Sequence, residues 1–142
     1  MKYFAYGMNT NREQMALRCP QAKSLGRAGL PGYQLMFNRH ADIQEHSGTC
    51  DGVLWDITDG CLAALDILEG YPYYYTRFEV LVEWQGQLVR AVTYQMQPQH
   101  QVPAPPGSGY YSMVSEGYAQ HRVPQTQLQQ AVFQVDQYSE IR

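Results

Sequence analysis

The chain has 142 residues, 44% of them hydrophobic and 16% charged, with a formal net charge of -3 and a pI near 5.7. A length of this order suits one domain, residues 1–142, able to bury about two-thirds of its unfolded surface. Singly scattered lysines and arginines argue against nucleic acid or a membrane surface as partner, and no apolar run reaches the roughly 20 residues that span a bilayer.

The opening "MKYFAYGMN" carries one lysine and a short apolar run broken by Gly7, too short for a secretion signal, so the cytoplasm is the expected location. Lys2–Tyr6 reads as an aromatic strand. Thr10 to Glu13 has the form of a capping box, and a brief helix is expected from Asn11 to Arg18, ended by Pro20 because the residue before a proline avoids helical geometry. Leu25–Asn38 reads as two strands about a Pro31-Gly32 turn, residues 40–52 as a polar loop, and Gly52–Ile57 as a short buried strand. Cys19, Cys50 and Cys61 are odd in number, widely spaced and without a CxxC pair; they read as buried free thiols.

A helix is expected next, from an N-cap at Thr58 or Asp59 to a C-cap at Gly70. Beyond it, Phe78, Val80, Val82 and Trp84 alternate with Arg77, Glu79, Leu81 and Glu83, and Gln85-Gly86 offers a two-residue turn, so Arg77–Met96 reads as a hairpin. Pro98–Gly109 is a proline-rich loop. After Pro124, Leu128, Ala131, Val132 and Val135 stand at helical spacing and predict a C-terminal helix packed on the body. Together these elements predict an α+β fold: a compact, mixed, barrel-like β-sheet with two or three flanking short helices.

Two stretches can carry chemistry. In "LAALDILEG", Glu69 lies one heptad after Leu62, on nearly the same face, and beside Leu65. Such a carboxylate either reaches out to water from a fraying helix end or is buried. If buried, desolvation and the negative helix end both raise its pKa toward neutrality, where one group can accept a proton and return it. Asp66 is a competing carboxylate farther from the apolar stripe. In "YGMNT", Gly7 between strand and helix either serves a turn or leaves backbone N–H groups free for a carboxylate or phosphate; neither a Walker loop nor GxGxxG is present. His40, Asp42 and His46 fit no standard metal spacing, and no metal is expected. His100 and His121 read as loop residues without an assignable role. Twelve tyrosines against four phenylalanines suit a half-polar surface, either a ligand cleft or the rim of a core.

"FAYGMN", "LDILEGYPYYYTR" and "YYSMVSEGYAQHRVP" (Tyr110–Pro124), in this order and spacing, resemble the gamma-glutamyl cyclotransferase-like superfamily, and the resemblance extends over nearly the whole chain. It implies a compact mixed barrel with flanking helices. It also implies an intramolecular cyclotransferase that needs no cofactor, releasing 5-oxoproline and a free amine from a gamma-glutamyl amino acid or gamma-glutamyl amine. On that resemblance Glu69 is the acid/base, and the loop Tyr6, Gly7, Met8 and Asn9 holds the α-carboxylate and α-amine end of the substrate through backbone amides. Tyr75, Arg77 and Tyr110 match further cleft residues. The implied partner is a small gamma-glutamyl molecule, with the oligomeric state left open. Met8 stands where the family usually has serine, Thr10 where leucine is common and Tyr118 where a small residue is usual, departures that bear on the leaving amine. The rival reading is a binding module that keeps the pocket without turnover; retention of Glu69 opposes it.

Overall fold

The computed structural model describes the backbone of residues 1–141 and the side chains of residues 1–137. Five strands, β1 (Lys2–Ala5), β2 (Lys23–Asn38), β3 (His40–Asp56), β4 (Tyr75–Trp84) and β5 (Gln87–Met96), close into a barrel in the order β1-β3-β2-β4-β5. All neighbours are antiparallel except β1 and β5, which meet in parallel at Tyr3 and Val92. Around the barrel lie α1 (Arg12–Arg18), α2 (Asp59–Glu69), α3 (Ser108–His121) and α4 (Gln125–Ile141). The mixed α+β barrel is therefore as the sequence reads, with more helix than expected. Its core is one cluster that includes Phe4, Phe37, Ile43, Leu54, Val82, Val114, Tyr118 and Leu128.

The β4–β5 hairpin turns at Gln85 and Gly86, both left-handed, which is the backbone twist that joins two strands through two residues. Thr58 caps α2 by accepting from the Cys61 amide, and Gly70, with φ 66°, ends it. The C-terminal helix buries Leu128, Ala131 and Val135 as its spacing foretells.

Several expectations are corrected. Asn11, not Thr10, caps α1, its side chain accepting from the Glu13 and Gln14 amides; the Thr10 hydroxyl instead donates to the Gly7 carbonyl at 2.7 Å. Pro31-Gly32 is no turn. It is an irregularity within the single long strand β2, where register slips between Pro31 and Tyr33 and Gly32 takes φ 85°. Residues 40–52 are not a loop but the first part of β3, paired with β2 through a tight reversal at Arg39. Gln44, Glu45, His46 and Ser47 there face water, so the hydrophobic alternation that marks a half-buried strand is missing.

Residues 108–121 form a helix that went unread, and His121, expected in a loop, lies on it. The buried face of α3 is Val114, Gly117, Tyr118 and His121, correct in spacing but not in apolar character. The glycine is required by close approach: a Cβ at Gly117 would lie 2.3 Å from Thr10 Oγ1 and 2.5 Å from the Asn11 amide. His121 is held by Ser24 and the Gly117 carbonyl. The free-thiol reading fails for two cysteines: Cys19 and Cys61 are disulfide-bonded, with Cα atoms 5.2 Å apart, tying the end of α1 to the first turn of α2. Cys50 is free and buried. No helix among the described residues is long and apolar enough to cross a membrane.

Candidate active site

A cavity of about 240 Å³ opens at one end of the barrel. It is below the roughly 300–1,000 Å³ of drug-sized pockets. Segments distant in sequence form it: β1 with the turn after it, the β2–β3 reversal, the end of α2 with the start of β4, Tyr94 of β5 and Tyr110 of α3.

Gly7 follows β1 and opens a single 3-10 turn, Met8–Thr10. A Cβ at this glycine would lie 2.8 Å from the Ala41 Cβ and 3.1 Å from the Tyr110 hydroxyl oxygen, so the space here demands glycine. The first amide of the turn with a backbone acceptor is that of Thr10, bonded to the Gly7 carbonyl. Among the described residues no backbone acceptor is found for the amides of Met8 and Asn9. The Asn9 side chain, 4% exposed, donates to the Tyr3 hydroxyl while its Oδ1 is buried without a partner.

Glu69 is the last residue of α2 and lines the cavity beside Leu68. No hydrogen bond to its carboxyl is found among the described residues, and burial pushes its pKa up to about 7, opposed only by the Arg18 guanidinium. Gly70 then stops the helix, and a tight turn, in which the Tyr73 and Tyr74 amides donate to the Gly70 carbonyl, leads to Tyr74 and Tyr75 in the wall.

Six tyrosines, Tyr3, Tyr6, Tyr74, Tyr75, Tyr94 and Tyr110, make most of the remaining lining. All but Tyr74 are anchored at their oxygens. Tyr6 donates to the Tyr94 carbonyl and Tyr75 to the Ala41 carbonyl, while the Tyr110 hydroxyl accepts from the Ala41 amide at 2.9 Å. Burial raises the pKa of Tyr3, Tyr6, Tyr75, Tyr94 and Tyr110, and the Glu69 charge adds to this, so all five are neutral donors or acceptors near neutrality.

The structure thus brings Tyr6, Gly7, Met8, Asn9, Glu69, Tyr75 and Tyr110 together at one cavity. Arg77 is not in its wall. It pairs with Asp66, lies 4.5 Å from the Tyr71 ring centre, and Asp66 accepts from the Tyr94 hydroxyl at 2.6 Å; Arg77 reaches the cavity only through that chain. Asp66 is thereby committed to two partners, unlike Glu69. Sequence reading missed Tyr3, His40, Ala41, Leu68, Tyr74 and Tyr94, for which the excess of tyrosine was the only signal. His40, Asp42 and His46 do not share one environment: His40 packs edge-on against Tyr110, Asp42 is fully buried and accepts from Asn38, Gln101 and the Met96 amide, and His46 is exposed and bonds the Gly48 amide.

The family model described as "Gamma-glutamyl cyclotransferase, AIG2-like" matches residues 3–113. Among solved structures, a human protein described as uncharacterised is 28% identical with a TM-score of 0.82, over 90% of this chain and 84% of that one. A structure described as a gamma-glutamyl cyclotransferase is 26% identical with a TM-score of 0.79, over 91% of this chain and 85% of that one. YkqA from Bacillus subtilis is 29% identical with a TM-score of 0.79; 93% of this chain aligns with 54% of that one. No curated protein matches. With the family match spanning most of the chain and the barrel superposing on these structures, the protein belongs to the gamma-glutamyl cyclotransferase, AIG2-like family.

Proposed function

We propose that the protein is an intramolecular cyclotransferase that converts a gamma-glutamyl amino acid or gamma-glutamyl amine into 5-oxoproline and the free amine. The observation that carries this reading is a carboxyl at Glu69 with no hydrogen-bond partner found among the described residues, raised to about pKa 7, in the same small cavity as the backbone amides of Met8 and Asn9, of which that of Met8 bonds the Tyr110 oxygen.

In the proposed reaction the substrate's α-carboxylate takes those amides, and its α-amine lies toward the unpartnered Asn9 Oδ1. Glu69 removes a proton from the amine. The freed nitrogen attacks the gamma-carbonyl carbon and a five-membered ring closes; the C–N bond to the leaving amine then breaks as Glu69 returns the proton to it. Neutral phenols and amides around the carbonyl oxygen favour the developing negative charge, and holding nucleophile against carbonyl supplies most of the rate. Tyr75 and Tyr110 shape the cleft, and Arg77 acts by holding Asp66 against Tyr94.

The test is a panel of gamma-glutamyl compounds scored for 5-oxoproline by mass spectrometry, with Glu69→Gln alongside. The wild type is expected to release 5-oxoproline from at least one compound and the variant to lose at least about a thousandfold in kcat/KM, as for a group that serves as both base and acid. Undiminished activity in the variant would remove Glu69 from the mechanism.

A further inference from the structure

We propose that Asp42 is a positioning residue of the active site: its buried carboxylate fixes Ala41, the residue whose backbone holds Tyr75 and Tyr110 in the cavity wall. This rests on the cyclotransferase reading. Three parts of the site meet at Ala41. Its carbonyl accepts from the Tyr75 hydroxyl at 3.0 Å, its amide donates to the Tyr110 oxygen at 2.9 Å, and its side chain lies against Gly7. The Tyr110 oxygen also accepts from the Met8 amide, so the phenol's own proton is left for the cavity. A displacement of Ala41 therefore reaches both tyrosines and the loop after β1.

Backbone pairing of the barrel does not carry this end of β3. Strand β1 lies between β3 and β5 only as far as Ala5, and no ladder between β3 and β5 is found among the described residues. Side chains join the two strands instead. Asp42 Oδ1 accepts from the Met96 amide at 2.9 Å, and Gln95 donates to the Ile43 carbonyl at 2.9 Å. Asp42 Oδ2 accepts from Asn38 at 2.9 Å and from Gln101 at 3.1 Å, which ties in the reversal and the segment before α3. The reversal needs such ties, because Arg39 at its tip has φ 68°, a left-handed geometry that residues other than glycine keep only where neighbours enforce it.

Asp42 is fully buried, and each group found bonded to its carboxyl is an N–H donor, an arrangement that suits the ionised form. Burial raises its pKa, and these donors oppose the rise. An amide at this position would turn one acceptor oxygen into a donor facing other donors, and part of the clamp would be lost.

The test compares Asp42→Asn with the swapped pair, Asn38→Asp together with Asp42→Asn, which returns a carboxylate and an amide to the same place. In Asp42→Asn, kcat for 5-oxoproline release is expected to fall about tenfold or more with KM within about threefold, since misplaced tyrosines serve the developing charge less well. By NMR the Ala41 amide is expected to exchange with solvent about tenfold faster, with the Leu54 amide of the same strand unchanged, and the swapped pair to recover both readings. Undiminished kcat, faster exchange at Ala41 and Leu54 alike, or no recovery in the swapped pair overturns the proposal. If Asp42→Asn does not fold, Gln101→Ala, which removes one donor from the clamp, is expected to move kcat and Ala41 exchange about threefold in the same directions, and no movement overturns it. A wild type that releases no 5-oxoproline removes the cyclotransferase reading, while the Ala41 amide still decides whether Asp42 sets the wall.

Discussion

Glu69 owes its place in the cavity wall to its position within one helix turn. It follows Leu65 on the buried side of α2 and is the last residue before a left-handed glycine, so its carboxyl is carried into the cavity rather than back along the helix. In the proposed reaction it acts first as a base and must be ionised in the free protein, so kcat/KM for 5-oxoproline release is expected to rise with pH through an inflection near 7. A flat profile from pH 5 to 8 would contradict this. Stability should run the other way. The folded carboxyl titrates near 7 instead of 4.5, so the folded state binds this proton more tightly than the unfolded chain does. That contribution is complete below the unfolded value and is lost as pH rises through the folded one. Glu69→Gln should therefore gain over wild type above pH 7, by at most about 3 kcal/mol in chemical denaturation, and not at pH 4. This residue was legible because a charge in phase with Leu62 and Leu65 breaks a periodic pattern. Arg77 was less so: its partner Asp66 lies on the preceding helix, and nothing in the spacing ties the two.

Elements were legible where local and tertiary preferences agree. The β4–β5 hairpin has both alternation and turn, and α2 has both caps and an apolar stripe. β3 lacks the first of these signals: its outer half projects beyond the core, and the backbone ladder to Tyr33–Phe37 makes it a strand. Helix α3 hides differently, because what it buries is glycine, tyrosine and histidine. That face presses on the turn that holds Asn9: the Tyr118 hydroxyl donates to the Tyr6 carbonyl at 2.7 Å, and Asn11 donates to the Met113 carbonyl at 3.0 Å. Gly117→Ala is expected to cost about 3 kcal/mol, since a methyl would meet the Asn11 backbone, which cannot swing aside. Gly109→Ala on the same helix, with open space at its Cβ, should be neutral or slightly stabilising. Denaturant unfolding of the pair decides; equal effects would mean the close approach is absent.

At the scale of the molecule, closure of the barrel makes the site. With β1 between β3 and β5, Tyr3 comes edge-on to Tyr94 at 6.0 Å and Gly7 lies against Ala41, across 91 and 34 residues of chain. The Cys19–Cys61 bond joins the helix that follows the first strand to the helix that ends in Glu69. Protein purified without reductant and then denatured is expected to show one reactive thiol, that of Cys50, and three after reduction. Three without reduction would restore the free-thiol reading.

The sequence alone determined what depends on neighbours within a turn or two: the strand–turn–helix opening, the capped helix bearing Glu69, the β4–β5 hairpin and the amphipathic C-terminal helix. These follow from backbone sterics and hydrophobic period, which act over a few residues. Only the tertiary structure decided that polar residues 40–52 pair as a strand, that Cys19 meets Cys61, that Arg77 holds Asp66 outside the cavity, and that six tyrosines line it. Those outcomes depend on chain segments meeting through space, and no local pattern encodes which distant partner a backbone ladder, a thiol or a phenol will find.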